Sequence, residues 1–262
     1  MNLNLSGKHA LVCGGSEGIG RAAAEALAEL GANVTVLARR ADAVRAVATA
    51  LPCHFPEQGH GFLAVDLNDR AELHAAVSAL VERQPLQIVL NNTGGPPGGP
   101  LFAATAEQLL GVFGQHVIAA HTILQAVLPG MKESGYGRII NVISTSVKEP
   151  LAGLGVSNTI RGAMASWAKT LASELAPFGI TVNNVLPGFT DTARLSGLIA
   201  AKARESGSSE DAIAKTMLAS VPAGRFAKPE EPAAAIAFLA SPAAAYVNGI
   251  NLPVDGGRTR SL

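Results

Sequence analysis

A glycine-rich segment near the N-terminus directly follows a short apolar run. It reads Cys13-Gly14-Gly15-Ser16-Glu17-Gly18-Ile19-Gly20, and the apolar periodicity of a helix begins immediately after it. Gly14 would permit a tight turn, Gly18 a close approach of backbone to a pyrophosphate, and Gly20 close packing of helix on strand. The free N–H groups at the start of the helix would attract the phosphates. The spacing therefore predicts a dinucleotide site rather than an ordinary turn.

Two arginines stand at the position that usually distinguishes an NAD(H) site from an NADP(H) site. The second apolar run ends in Ala38-Arg39-Arg40, where an NAD site usually carries an acid for the ribose 2′-OH. Because a planar guanidinium suits a 2′-phosphate, we expect NADP(H) in preference to NAD(H). Glu17 in the phosphate loop argues against this, and the alternative is that Arg39 and Arg40 only begin a solvated helix.

Short apolar, β-branched runs alternate with longer helical segments along the whole chain. This alternation is typical of βαβ units that build a parallel sheet. Seven strands are predicted, at residues 9–13, 33–38, 61–66, 88–91, 138–143, 181–186 and 251–254. We therefore expect the α/β class: a single dinucleotide-binding domain over residues 1–262, with a Rossmann-like doubly wound sheet of about seven parallel strands and helices on both faces.

The segment from residue 193 to 219 interrupts this regular pattern. Charged residues surround the helix-breaking Ser206-Gly207-Ser208-Ser209, which predicts two short helices with a break between them. Because the segment follows the sixth strand, it should lie at the carboxyl edge of the sheet, where open α/β sheets bind ligands. We predict a lid-like insertion, and the alternative is a surface excursion without a role in binding.

The composition excludes several classes of partner. Twenty Lys and Arg balance twenty Asp and Glu in 262 residues, and only 4% of residues are aromatic. Nucleic-acid binding usually needs a basic surplus or stacking aromatics, so we expect no nucleic-acid partner. No apolar run approaches the roughly 18 residues of a membrane helix, and Cys13 and Cys53 lack metal-site spacing. We expect no membrane partner, no metal and a cytoplasmic location.

Several further segments match the pattern of a known family. They are Asp66 after the third strand, Asn91-Asn92-Thr93-Gly94, Pro187-Gly188-Phe189-Thr190-Asp191-Thr192, and the C-terminal segments 221–226 and 254–257. Together with the glycine-rich loop, they make the chain resemble the short-chain dehydrogenase/reductase family over essentially its whole length. Within that family it is most similar to the 3-oxoacyl-ACP reductase branch.

The resemblance implies cofactor contacts, a substrate class and an assembly. The implied contacts beyond those derived above come from Ser16, Ile19, Asp66, Asn92, Gly94, Pro187, Gly188, Thr190 and Thr192. The implied substrate is a small-molecule carbonyl compound or alcohol. The implied assembly is a homodimer or homotetramer formed through the long helices after strands 4 and 5.

The chain departs from the family at the residues that transfer the proton. Family members take the proton from a tyrosine that is assisted by a lysine, a serine and an asparagine. Ser144 keeps the family's serine, but the tyrosine position carries Ser157 and the lysine position carries Arg161. The asparagine position falls on His116. A serine hydroxyl lacks the acidity of a phenol, and losing a positioned acid costs on the order of 10²–10⁴ in rate.

His116 could replace the missing acid. We hypothesise that it supplies the proton through water and Ser144 or Ser157, because imidazole titrates near neutrality. The alternative is that His116 has a structural role within the helix. Arg161 could bind ribose hydroxyls, but its permanent charge prevents proton transfer. We expect an oxidoreductase that moves hydride between NADP(H) and a carbonyl or secondary alcohol without the usual Tyr-Lys pair. The alternatives are a catalytically silent NADP(H)-binding sensor or partner protein, and a non-redox lyase or isomerase.

Overall fold

Seven parallel strands form one sheet in the computed structural model, which describes residues 1–261. The strands run in the spatial order β3-β2-β1-β4-β5-β6-β7, and all neighbours pair in parallel. Their bounds are β1 His9–Cys13, β2 Asn33–Ala38, β3 His60–Ala64, β4 Ile88–Asn91, β5 Gly137–Val142, β6 Ile180–Pro187 and β7 Asn251–Val254. The order reverses between β1 and β4, which is the switch point of a doubly wound sheet. The predicted α/β Rossmann-like fold is confirmed.

Helices cover both faces of this sheet. Their bounds are α1 Gly18–Glu29, α2 Ala41–Ala50, α3 Arg70–Arg83, α4 Ala106–Phe113, α5 Ala119–Ser134, α6 Gly155–Leu175, α7 Ala193–Ser206, α8 Glu210–Ala219 and α9 Glu230–Ala240. Side chains alternate between the two faces of each strand. On β1, Ala10 and Val12 pack with α1, α2 and α9, whereas Leu11 and Cys13 pack with α3, α5 and α6. Two apolar cores therefore fix the sheet from opposite sides.

The strand boundaries differ from the sequence prediction by at most two residues. The edge strand β3 ends at Ala64, so Asp66 lies in the turn that follows and not in the strand. In that turn the Asp69 N–H donates to the Asp66 carbonyl oxygen, which bends the chain toward α3. Strand β5 begins one residue early, at Gly137, where a Cβ would lie 2.7 Å from Ile180 Cγ1.

Four asparagines form a hydrogen-bonded row across strands β4 to β7. Asn91 Nδ2 donates to Asn141 Oδ1, Asn141 Nδ2 to Asn184 Oδ1, and Asn184 Nδ2 to Asn251 Oδ1, each over 2.8 Å. Asn91, Asn141 and Asn184 are buried. Because each carboxamide satisfies its neighbour, the row removes the penalty of burying unpaired polar atoms.

The segment after β6 forms two helices, as predicted. Helix α7 ends at Gly207, whose φ of 68° is readily adopted only by glycine, and α8 begins after the N-cap Ser209. Leu195, Ile199 and Met217 bury a small apolar cluster of their own. The two helices are thus packed on each other, whereas their role as a lid stays a proposal.

One long helical stretch has the length and composition of a membrane span. It runs over Ala106–Ser134, through α4, a π-helical turn at Gly114–Ile118 and α5. Its buried residues Ile123, Leu124, Val127 and Met131 pack in the core between α5, α3 and the sheet. This packing accounts for the apolar composition of the α5 half of the stretch.

Candidate cofactor and active site

A cavity of about 790 Å³ opens at the carboxyl edge of the sheet, around the switch point. The loops that follow β1 to β6 contribute its walls. Every site residue predicted from the sequence lines the cavity except Gly20 and His116. The topology therefore brings together residues that are up to 244 positions apart, between Gly14 and Arg258.

The glycine-rich loop leaves room where side chains would block it. Gly14 and Gly18 have φ values of 60° and 56°, in the left-handed region that favours glycine. A Cβ on Gly14 would collide with the Asn92 carbonyl oxygen, and a Cβ on Gly20 would collide with the Gly14 carbonyl oxygen. Asn92 Nδ2 donates to that same Gly14 oxygen over 3.1 Å. Gly20 thus packs against the side of the loop that faces away from the cavity, which fits its predicted packing role.

The start of α1 presents uncapped N–H groups to the cavity. Its N-cap residue, Glu17, makes no side-chain hydrogen bond to the first turn, and that turn holds no acidic residue. Without such a cap, the N–H groups and the helix dipole are available to an anion. The carboxyl end of β1 and the start of α1 therefore form a site that fits a pyrophosphate.

Arg39 and Arg40 lie on the cavity wall at the end of β2, as the prediction of NADP(H) requires. Glu17, the acid that argues against this prediction, lies opposite Arg40, with 3.4 Å between Arg40 Nη2 and Glu17 Oε2. Both side chains are more than two-thirds exposed. An exposed pair of this kind contributes about 0–1 kcal/mol, so it leaves Arg40 available to a phosphate.

Ser144 and Ser157 both line the cavity and are half-buried. Ser144 directly precedes the 3₁₀ turn Thr145–Val147, and its Oγ accepts from the Ser146 N–H over 3.1 Å. Ser157 lies in the first turn of α6. The two hydroxyls therefore come from neighbouring elements at the end of β5.

Arg161 is buried one turn beyond Ser157 on α6. Its Nη1 donates to the Val142 carbonyl oxygen over 2.6 Å. Burial, and next the nearby Arg194 guanidinium, lower the pKa of Arg161 to about 10. The side chain remains a cation at neutral pH, so it can supply positive charge but no proton.

His116 lies outside the cavity wall, in the π-helical turn between α4 and α5. Thr93 Oγ1 lies 2.5 Å from its Nδ1. Burial, and next the Arg161 cation, lower the pKa of His116 to about 3, although the Gly94 backbone opposes this shift. At neutral pH the ring is uncharged, so the imidazolium that the relay hypothesis needs is not populated. The geometry favours the structural alternative for His116.

Two arginines that the sequence did not single out also reach the cavity. Arg194 comes from the first turn of α7, and its Nη2 donates to the Pro96 carbonyl oxygen over 2.7 Å. Arg258 follows β7; its Nη1 donates to Thr145 Oγ1 over 3.4 Å, and its guanidinium lies 4.5 Å from the Phe189 ring centre. Their closeness to the motifs at 187–192 and 254–257 was the available sequence signal.

Fold and cavity together define a Rossmann-type dinucleotide-binding architecture, and comparison with known proteins places the chain within one family. A family model described as enoyl-(acyl carrier protein) reductase matches residues 14–259. The 3-oxoacyl-(acyl-carrier-protein) reductase FabG of Vibrio harveyi is 35% identical over 97% of this chain and 98% of the relative. The NADPH-dependent reductase BacG of Bacillus subtilis is 29% identical over 98% and 100%. The chain belongs to the short-chain dehydrogenase/reductase family of oxidoreductases, as its motifs predicted.

Solved structures agree with this assignment. L-sorbose reductase from Gluconobacter frateurii, in complex with NADPH and L-sorbose, matches with a TM-score of 0.93 and 30% identity over 100% of both chains. YwfH, an NADPH-dependent reductase involved in bacilysin biosynthesis, matches with a TM-score of 0.91 and 29% identity over 98% of this chain and 100% of YwfH. These neighbours use or hold NADPH, which supports the predicted preference for NADP(H).

Proposed function

We propose that this protein is an NADP(H)-dependent oxidoreductase acting on a carbonyl group or secondary alcohol of a small molecule. The observation that carries the proposal is a single cavity in which Ser144 faces the same space as the glycine-rich loop. The reductases among its relatives support the reaction class. The cavity at the switch point is the position where doubly wound sheets bind nucleotides.

The residues around the cavity fit NADP(H). The loop from Gly14 to Gly18 and the uncapped start of α1 would hold the pyrophosphate. Arg39 and Arg40 would hold the 2′-phosphate, and Arg161 would contact the hydroxyls of the nicotinamide ribose. Asp66, which the cavity also exposes, would contact the adenine as in the family.

The chemistry of the proposed reduction divides between the cofactor and the chain. Bound NADPH would supply a hydride to the carbonyl carbon, and the carbonyl oxygen would take one proton that comes from solvent. Ser144 would donate a hydrogen bond to that oxygen, and the Arg161 cation would stabilise its developing negative charge. Ser157 has both a donor and an acceptor, so it would pass a proton inward from solvent rather than act as the acid.

Cofactor preference is tested by isothermal titration with NADPH and NADH. We expect the wild type to bind NADPH at least tenfold more tightly, and the double variant Arg39→Ser, Arg40→Ser to lose most of this preference. Arg45→Ser is the matched control, because Arg45 is exposed on α2, the helix that follows Arg40, and lies outside the cavity wall. Equal or tighter binding of NADH to the wild type would overturn the assignment.

Turnover is tested by steady-state oxidation of NADPH with a panel of ketones and β-ketoacyl thioesters. We expect slow but measurable turnover, which Ser144→Ala lowers at least tenfold. Ser166→Ala is the control, because Ser166 is exposed on α6 and does not line the cavity. Absence of turnover across the panel, with NADPH still bound, would instead support the second candidate.

The second candidate is a catalytically silent NADP(H)-binding sensor or partner protein. The specific observation in its favour is that no side chain with a near-neutral pKa replaces the missing phenol. Ser157 stands in its place, Arg161 stays charged and His116 stays neutral. A protein of this kind would bind NADPH without oxidising it.

We also propose that the protein forms a homodimer or homotetramer through the helices after β4 and β5. In support, Leu110 on α4 is 70% exposed and the nearby Phe102 is 93% exposed. Contiguous exposed apolar patches often mark protein–protein interfaces. Light scattering coupled to gel filtration tests the proposal, and a monomer at micromolar concentration would contradict it. The cytoplasmic location stays a prediction.

A further inference from the structure

Three arginines surround the end of β5 without an acidic partner. Arg161, Arg194 and Arg258 all line the cavity. The ion pairs found within residues 1–261 involve other side chains, so none of the three meets a carboxylate in that part of the chain. This local excess of positive charge occurs in a protein whose net charge is zero.

Two of the three guanidinium groups bond to residues close to Ser144 in the chain, and the third lies near Arg161. Arg161 donates to the carbonyl oxygen of Val142, two residues before Ser144, and Arg258 donates to the hydroxyl of Thr145, the next residue. Arg194 approaches from α7, near enough to Arg161 to lower its pKa. Positive charge therefore lies close to the chain segment that carries Ser144, whose hydroxyl would hold the substrate oxygen.

The hydrogen-bonding capacity of the cluster is largely unused. Within residues 1–261, Arg161 and Arg194 each make one hydrogen bond, to a neutral carbonyl oxygen. Arg258 Nε is buried and has no hydrogen-bond partner within the described residues. A guanidinium carries five N–H donors in a fork that matches carboxylate and phosphate oxygens. Holding such groups together unpaired is unfavourable, and an anion between them would relieve the repulsion.

The phosphates of the cofactor have other proposed binding groups. The pyrophosphate has its own site at Gly14, Gly18 and the start of α1, and the 2′-phosphate has Arg39 and Arg40 at the end of β2. These groups lie on the β1 and β2 side of the switch point. Only Arg161 stands where the family contacts the cofactor, so Arg194 and Arg258 remain for another ligand.

We propose that the substrate carries an oxyanion, a carboxylate or a phosphate, close to its carbonyl or alcohol group. Arg194 and Arg258 bind this oxyanion, and Arg161 adds to the positive field. This assignment rests on the proposed oxidoreductase function, because it places the anion beside the reacting oxygen. The tie of Arg194 to Pro96 would break or shift as the anion enters, since the same guanidinium serves both.

The test compares matched pairs of substrates that differ only in charge. The pairs are a 2-oxo acid and its methyl ester, a 3-oxo acid and its methyl ester, and dihydroxyacetone phosphate and dihydroxyacetone. We expect the charged member of at least one pair to have a kcat/KM at least tenfold higher in the wild type. Arg194→Gln and Arg258→Gln should each lower this ratio several-fold, whereas Arg258→Lys should retain part of it.

Arg83→Gln is the matched control, since Arg83 is exposed at the end of α3 and lies outside the cavity wall. It should keep the wild-type ratio of kcat/KM for the charged and neutral substrates.

A second experiment measures binding without turnover. Malonate, and separately inorganic phosphate, is titrated calorimetrically into the protein saturated with NADP⁺. The two anions distinguish a carboxylate site from a phosphate site, and Arg258→Gln should weaken the preferred one at least tenfold.

The outcomes separate this inference from the proposed function. Equal kcat/KM for charged and neutral members of every pair would overturn the oxyanion site while leaving the oxidoreductase function intact. No turnover of any compound, with anion binding that Arg258→Gln abolishes, would support the site and overturn the function. Failure of both anions to bind in the absence of any turnover would overturn the oxyanion site.

Discussion

Ser157 and Arg161 lie one turn apart on α6, and Ser157 lines the cavity at the position where the resemblance to the family implies a tyrosine. A hydroxyl at this position can pass a proton but cannot supply one at neutral pH, because its acidity is far below that of a phenol beside a cation. The proposed site therefore has hydrogen-bonding and charged groups, but Ser157 and Arg161 supply no acid.

Restoring the phenol tests the cost of this substitution. The double variant Ser157→Tyr, Arg161→Lys should raise kcat for NADPH-dependent reduction by roughly 10²-fold or more, since a positioned acid contributes about 10²–10⁴. Steady-state NADPH oxidation measures the gain. Thr49→Tyr is the control, because it adds a tyrosine at an exposed position on α2, outside the cavity wall and away from the helices proposed to form the interface. A double variant that binds NADPH and shows no gain would contradict the expected role of the position.

The protonation state of His116 gives a second test at this scale. Because its pKa is lowered to about 3, the ring stays neutral throughout pH 5–9. Turnover in this range should therefore show no inflection that belongs to this residue, and His116→Gln should leave the shape of the pH profile unchanged. The measurement is kcat against pH for both proteins. An inflection between pH 6 and 7 that disappears in the variant would restore the relay hypothesis.

At the scale of elements, the turn from β1 into α1 depends on the absence of side chains. Gly14→Ala should weaken NADPH binding at least tenfold and lower stability, because the new Cβ would meet the Asn92 carbonyl oxygen at a positive φ. Calorimetry and urea unfolding measure the two effects.

Gly7→Ala is a matched control for the backbone strain of Gly14→Ala. Gly7 has a similar φ of 73°, but a Cβ there would have no neighbour within 4 Å. It should cost about 1 kcal/mol of stability without changing affinity for NADPH. If both substitutions reduced affinity equally, the loop contact with Asn92 would not be the cause.

Elements with a strong local signal could be predicted from the sequence. The strands, the α7 and α8 pair and the glycine-rich turn depend on periodicity and on breakers such as Gly207, which act over a few residues. The cavity residues Arg194 and Arg258 could not be predicted, because their approach to Ser144 depends on contacts between segments far apart in the chain. The environment of His116 could not be predicted from the sequence either, since its burial arises from the packing of helices.

At the scale of the whole molecule, two buried histidines link stability to pH. Burial lowers the pKa of His9 to about 4, with an added effect of the nearby His60, and that of His116 to about 3. Both values lie below the roughly 6.5 of an unfolded chain. The unfolded state therefore binds more protons below pH 6.5, and the stability that the neutral rings allow is lost as the pH falls.

The free energy of unfolding should consequently drop between pH 7.5 and pH 4.5. Each histidine contributes roughly 2–3 kcal/mol to this drop, at about 1.4 kcal/mol per pH unit between its two pKa values. Urea unfolding at the two pH values measures it, and His9→Gln should remove the part that belongs to His9. A difference that stays the same in His9→Gln would show that His9 is not the source.

The asparagine row affects how the carboxyl ends of strands β4 to β7 are aligned with one another at the cavity. Asn91, Asn141 and Asn184 each lie within three positions of a cavity-lining residue that follows them; Ser144, for example, follows Asn141 by three positions. Since a carboxamide can bridge only to a partner directly beside it, sliding β5 or β6 would break two links at once, and sliding β4 or β7 would break one. The row therefore aligns the ends of four strands, and with them the heights at which their reactive residues emerge.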